Sequence, residues 1–381
     1  MNYVVKTTDL MYNINALGGI YMRFIKSQDL KIGMRLAKPI YSKQGVLLFD
    51  RDSKLTQQGI NSVNNFGLLG VYILDPAEPL PPISEEDIAF ESFQTMMVFQ
   101  IEEELGKIRQ TFRVHKMQSL ASLIIKQYGH LDNKIYFYQN LRSRTDFVYK
   151  HSLNTAILCT MISHVMNIPL QEQLNTVYAA LVHDIGKLDV YNMMGENMKV
   201  HPDKLWDAQF AAGALIEAAF LDGISIRRIC YQAARVQREF EAGKMTPVKM
   251  VMGAKILMVA NRFDEITAMQ LDANNSDSEV RALREMMDNP EVYDPDVVQA
   301  LTKVIHILAP GVSVILNSNE KALVLKENSR NILRPVLLSF RDNSIIDLSL
   351  SDYSDLVVVD VLKSLDNRCI IDSDTLKMAG Y

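Results

Sequence analysis

His183 and Asp184 stand side by side where the apolar run Leu181-Val182 ends, and Gly186-Lys187 follows one residue further on. An imidazole nitrogen beside a carboxylate oxygen is a donor set suited to zinc, manganese or iron. The lysine offers a cation to an anionic group such as a phosphate. A His-Asp dipeptide is common, so its chemistry depends on whether other donors converge on it. His151 is the first candidate. Phe147, His151, Leu158, Ile162 and Val165 recur at helical spacing, which puts His151 on the inward stripe of a helix over 147–165. Leu174, Val177, Leu181 and Asp184 follow the same rule in the next helix, so Asp184 points inward as well. A carboxylate buried without a partner costs several kcal/mol, roughly, and is ordinarily paired or metal-bound. The structural alternatives are a hydrogen-bonded core pair for His183 and Asp184 and a solvated surface position for Lys187.

The elements that must hold these residues are mostly helical. Helices are expected from Leu205 to Phe220, Ile224 to Glu241 and Val248 to Ala268. Asp294-Pro295-Asp296 reads as a helix start, with Asp294 as N-cap and Pro295 at the first helical position. Asn274 to Ser278 reads as a loop. Ahead of the helices, 22–75 is a small β-rich domain with one short helix from Leu55 to Asn65. Four prolines between Pro76 and Pro82 make 76–84 a linker, because proline prevents both helix and sheet pairing. The helical domain covers 85–309, and 310–381 is a β-hairpin-rich extension and tail. Its strands are expected at 312–316, 322–325 and 336–340, with a hairpin loop at Asn317-Ser318-Asn319-Glu320. Residues 1–21 carry no sustained period and read as an irregular tail, with Met22 as the native start; the mass of the protein from native cells checks this.

Composition narrows the classes. A chain of 381 residues exceeds one ordinary core. With a net charge of -5, a sequence-independent grip on duplex nucleic acid is not expected. Cys159, Cys230 and Cys369 show no paired spacing and read as reduced thiols of a cytoplasmic protein. No apolar run approaches the roughly 20 residues of a membrane span.

Taken together, His151-Ser152, His183-Asp184-Ile185-Gly186-Lys187, Asn261-Arg262-Phe263-Asp264-Glu265-Ile266-Thr267, Tyr293 to Val298 and Pro310 to Val314 resemble the HD-GYP family, bacterial cyclic di-GMP phosphodiesterases of the HD superfamily. Leu30 to Ala37 is similar to the small domain often found ahead of these catalytic domains. The resemblance covers roughly 22–345 and implies a mainly α fold: an HD-type helical bundle between a small β-rich domain and a β-hairpin-rich segment. It also implies two or three metal ions and hydrolysis by a bridging hydroxide. Carried over by residue, His151, His183 and Asp184 take the first three ligand positions, and Lys187 matches the phosphate-facing lysine. Gln209 stands at the position of the next ligand histidine. Gln232-Ala233-Ala234 replaces His-His-Glu, no Gly-Tyr-Pro triplet follows, and Asn261 stands in place of the last aspartate. Asp264 shares a face with Asn261, but its family counterpart is structural. His201-Pro202 is read as a helix start rather than as the displaced ligand.

Amide oxygens bind divalent ions more weakly than carboxylates or imidazoles. The expectation is therefore one divalent metal, manganese or iron for example, on His151, His183 and Asp184 with weak help from Asn261. Two functions remain open. One is a degenerate regulator in signalling, meeting a protein partner or a nucleotide. The other is a single-metal phosphodiesterase or phosphohydrolase for a cyclic dinucleotide or another phosphoester, with Asp184 and Lys187 as its catalytic residues. The sequence sets neither the partner nor the oligomeric state.

Overall fold

β1 (Met22–Lys26), β2 (Arg35–Leu36) and β5 (Gly70–Leu74) form an antiparallel sheet in the order β1-β5-β2. The structure is a computed structural model that describes residues 22–42, 46–66, 68, 70–74, 85–137, 146–193, 200–244, 249–268 and 278–362. The tail expected over 1–21, the linker over 76–84, most of the loop at 274–278, and Cys369 lie outside the described residues.

Along β5, Val71 and Ile73 are buried and Tyr72 is half-buried, the period-two signature that the sequence carries. Val71 and Ile73 pack with Leu36, Leu55 and Val63 into a small core of their own. β3 (Ile40–Tyr41) pairs with β4 (Leu47–Phe49) in a separate two-stranded ribbon. Helix α1 (Gln57–Asn65) is capped by Thr56, whose hydroxyl accepts from the Gly59 N–H.

Chain contacts separate a helical unit, Glu86–Ile307, from a second unit that takes in the β-rich segments on either side of it in the sequence. The helical unit begins with α2 (Glu85–Thr111), α3 (Met117–Tyr128), α4 (Phe147–Val165) and α5 (Leu170–Val182). It continues with α6 (Lys187–Met193), α7 (Pro202–Ala211), α8 (Gly213–Ala219), α9 (Gly223–Glu241), α10 (Met252–Thr267), α11 (Glu279–Asp288) and α12 (Pro295–Val304). No described helix is long and apolar enough to cross a membrane. The stretch expected as one helix from Leu205 to Phe220 is two, divided at Ala212. At α12, Asp294 caps the N–H groups of Asp296 and Val297 ahead of Pro295, as expected.

Helix α4 departs from its reading as a one-sided stripe. Every residue from His151 to Ser163 is buried, because α3, α5, α10 and α12 all pack against it. A helix covered on all faces needs no polar side. Small and hydroxyl residues such as Ala156 and Thr160 sit among its Leu and Ile, and the Thr160 hydroxyl donates to the Ala156 carbonyl. Cys159 on α4 and Cys230 on α9 are buried free thiols, and burial pushes both pKa values up.

In the C-terminal segment, β6 (Ser313–Leu316), β7 (Lys321–Lys326), β8 (Val336–Ser339), β9 (Ile345–Asp347) and β10 (Val358–Val361) form an antiparallel sheet in the order β10-β6-β7-β8-β9. The β6–β7 hairpin turns through Asn319 at φ 63°, a left-handed conformation that asparagine tolerates better than most residues.

Candidate metal centre

Helix α5 ends at His183, Asp184 and Ile185 turn the chain, and Lys187 opens α6. The junction leaves no room for a side chain at Gly186, where a Cβ would lie 2.1 Å from the Ala208 carbonyl oxygen of α7. Glycine is therefore required by the close approach of two backbones. Gly186→Ala is expected to destabilise the chain by about 1–3 kcal/mol through overpacking, read as a lowered midpoint of chemical denaturation. From α10, Asn261, Asp264 and Glu265 share one face at helical spacing. His151 comes from the enclosed helix α4, and Gln209 from α7.

The side chains meet closely. His151 Nδ1 lies 2.6 Å from Asp264 Oδ2. His183 Nδ1 lies 2.8 Å from the Ala180 carbonyl oxygen. Both neighbours only accept, so each Nδ1 carries the proton and each Nε2 presents a lone pair. Those two Nε2 atoms face each other at 3.1 Å. Asn261 Oδ1 lies 2.8 Å from each of them. Asp184 Oδ2 completes the group, 3.8 Å from His151 Nε2.

Lone pairs that converge in this way repel unless a cation stands among them. One further acceptor is orphaned. Asp184 Oδ2 is ion-paired with the Lys187 ammonium at 2.8 Å. Gln209 Nε2 donates to Asp184 Oδ1 at 3.0 Å, which leaves buried Gln209 Oε1 without a donor. Gln209 and Asn261 line a cavity of about 10 Å³ with His183 and Lys187, room for about one water-sized particle. The residues therefore fit one divalent ion held by His151, His183 and Asp184, the ligand atoms of which lie within 4.8 Å of one another. The neutral oxygen Asn261 Oδ1 lies 2.8 Å from both Nε2 atoms of this group. Among the described residues no other group of His, Cys, Asp and Glu gathers in this way.

Electrostatics match this reading. Burial opposes a charge on His151, but the Asp264 carboxylate and then Asp184 outweigh it and raise its pKa. Burial, helped by the positive groups His151 and Lys187, lowers that of His183 against the pull of Asp184. Burial works to raise Asp184, but His183, Lys187 and His151 together hold it at about 2. A proton and a metal ion would compete for the same His151 Nε2, so metal uptake would release protons and weaken as pH falls.

Behind the ligands, Gln94 donates to Asn154 at 2.9 Å, and Asn154 donates to Asp264 at 2.9 Å. This chain of hydrogen bonds fixes the carboxylate that orients His151. Asp264→Ala is expected to weaken metal binding by roughly 10–100-fold, measured by competition with a chelating dye.

The replaced positions divide. Ala233 lines the small cavity, where it offers no donor. Gln232 turns away, its Oε1 accepting from the Val251 N–H at 2.9 Å. Gln237, one turn along α9, faces the cavity instead, and its Oε1 accepts from the Tyr293 hydroxyl at 3.2 Å. Sequence reasoning missed Gln237 and the carboxylate of Glu265, which lines the same cavity. Helical spacing from Ala233 and from Asn261 was the available signal for both. His201 caps α7 as an exposed residue and plays no part here.

Residues 148–285 match the model of the HD domain. A curated protein described as "Cyclic di-GMP phosphodiesterase PA4108", from Pseudomonas aeruginosa, is 22% identical over 235 residues, covering 57% of this chain and 56% of that protein. The chain thus spans about half the length of the curated relative it matches. No solved structure matches it significantly. Residues 148–285 thus carry an HD domain with the His-His-Asp cluster inside it, and the chain is similar to a cyclic di-GMP phosphodiesterase over part of its length.

Proposed function

We propose that this chain is a degenerate cyclic di-GMP phosphodiesterase-like module that acts as a regulator in cytoplasmic signalling, holding one divalent metal and hydrolysing phosphodiesters slowly or not at all. One observation carries the reading. The donors of a single ion converge, while the positions that would hold a second ion are Gln209, whose amide N–H₂ is turned to Asp184, and Ala233. A second ion would clamp the attacking and leaving oxygens of the phosphodiester together, a geometry that one ion cannot impose. The remaining parts suit binding. Lys187, buried and paired with Asp184, faces the cavity with its charge retained, since burial is outweighed by Asp184 and then Glu265 and its pKa is raised.

The second reading, a single-metal phosphodiesterase, is favoured by this same Lys187. An ammonium beside a metal corner is well placed to hold a phosphate oxygen. When bound, one divalent ion would supply a water of lowered pKa. His151 and His183 would fix its position, Asp184 would hold the lysine, and Lys187 would orient the phosphate.

The test is metal content of the purified chain alongside turnover of cyclic di-GMP with added manganese or iron. About one metal per chain without product supports the regulator. Turnover that Asp184→Ala abolishes would end it in favour of the enzyme. Less than about 0.1 metal per chain would overturn the metal centre in both readings.

A further inference from the structure

A second cavity, of about 420 Å³, opens beside the metal centre on α7 and α9. Its size is that of a small-ligand site, roughly 300–1,000 Å³. Phe210 and Tyr231 supply two rings, 5.5 Å apart at 61°. Arg235, Arg238 and Lys244 supply three positive charges against the single carboxylate of Glu239. The lining is therefore positive by two charges in a chain whose net charge is -5.

Those cations are differently committed. Arg235 Nε is tied to Glu239 at 2.9 Å. The Arg238 guanidinium sits 5.8 Å from the Phe210 ring and reaches Asp203 and Asp207 only at 3.4 Å. Lys244 makes no ion pair among the described residues. A planar guanidinium over an aromatic ring, next to a second exposed ring, is a surface that accepts a base between flat faces and a phosphate on the cations.

The rings also connect this cavity to the small one. Trp206 lines the small cavity and stacks on Phe210 at 6.5 Å. The Lys187 ammonium in turn lies 5.8 Å from the Trp206 ring. From metal corner to open cavity the order is therefore Lys187, Trp206, Phe210, Tyr231. A ligand with one phosphate at Lys187 would meet flat rings and then guanidinium groups as it extends outward.

We infer that the cavity of Phe210, Tyr231, Arg235, Arg238 and Lys244 is a nucleotide subsite, taking a nucleobase against the rings and a phosphate on the cations, independently of metal. The inference rests on the cyclic-dinucleotide reading above for its ligand class. It adds a binding site that the metal cluster does not require.

Trp206 is the single tryptophan of the chain, so its emission reports on this corner alone. The experiment titrates the full chain, kept metal-free with a chelator, with guanosine 5′-monophosphate, guanosine and inorganic phosphate. A saturable change with the nucleotide, weaker by roughly tenfold or more for either control, is expected. Arg238→Gln, at a half-buried position, and Tyr231→Ala, at an exposed one, should each weaken the nucleotide by roughly tenfold while the thermal midpoint stays unchanged. No saturable change up to about 10 mM nucleotide, a weak-binding limit of roughly 3 kcal/mol, overturns the subsite. So does phosphate binding as tightly as the nucleotide, or full affinity in both variants. Asp184→Ala separates the two claims: retained nucleotide binding after loss of metal supports the subsite, whatever becomes of the metal centre. A metal-loaded chain that ignores the nucleotide overturns the subsite and leaves the metal centre standing.

Discussion

Asp184→Ala is expected to leave the chain without bound metal and to lower its stability by about 3–5 kcal/mol. Both effects follow from one carboxylate with two duties. Oδ1 accepts from Gln209, and Oδ2 faces the two imidazoles and the Lys187 ammonium. Removing it leaves two neutral histidines and an amide as donors, too few charges to hold a divalent ion firmly. It also strands Lys187, a buried cation whose ion-pair partner is gone. Asp184→Asn separates the two, since the amide keeps the volume and the acceptor for Gln209 but not the charge. The pH dependence has a definite sign. The folded pKa of about 2 lies below the ordinary 3.8, so the charged form stabilises the fold above the ordinary value, and that contribution is lost as pH falls through about 2. Chemical denaturation of the wild type and both variants, with metal content of each, checks the prediction. Equal stability of wild type and Asp184→Ala would show that Lys187 does not depend on this carboxylate.

Asn261→Asp has the opposite character. It restores a charged oxygen at the point nearest both Nε2 atoms, 2.8 Å from each. Metal affinity should rise by roughly tenfold or more, about 1.4 kcal/mol of added stability at saturating metal. Without metal the same change is unfavourable. A third carboxylate would then join Asp184 and Asp264 in a buried cluster, so the apoprotein should melt lower than wild type. The diagnostic is therefore the gap between apo and metal-loaded melting temperatures, which should widen. Adding Gln209→His should widen it further, because Gln209 stands beside Asp184 with an unpaired oxygen of its own. An unchanged gap would mean that Asn261 is not a ligand.

Most of this architecture could be read from residue spacing, and the exceptions have physical causes. Helical periodicity placed His151 and Asp184 inward, and both are fully buried, although Asp184 stands in the turn just past α5 instead of on the helix expected for it. Proline after a capping aspartate announced α12. The same reading portrayed α4 as one-sided, since period alone does not show that several helices surround it. It also ran α7 and α8 together across Ala212, a break that no proline or glycine at that residue signals. At the site, ligand types were legible but directions were not. Gln232 and Gln237 are both glutamines of α9, yet only Gln237 faces the cavity. Which of them turns inward depends on the rotation of α9 against α10, a tertiary property. The large cavity was invisible for the same reason: Phe210 and Tyr231 belong to different helices and only packing brings them together.

His151 and Asn261 touch although they stand 110 positions apart in sequence. Loop closure over such a distance comes at an entropic cost that is recovered only when α4, α5 and α10 are all docked. No fragment that stops short of α10 can assemble the donor set, and a folding intermediate that lacks that helix presents only scattered imidazoles. Metal retention would therefore be a property of the finished helical unit. A chelator-resistant ion in a fresh preparation would count correctly folded molecules, independently of any catalytic assay.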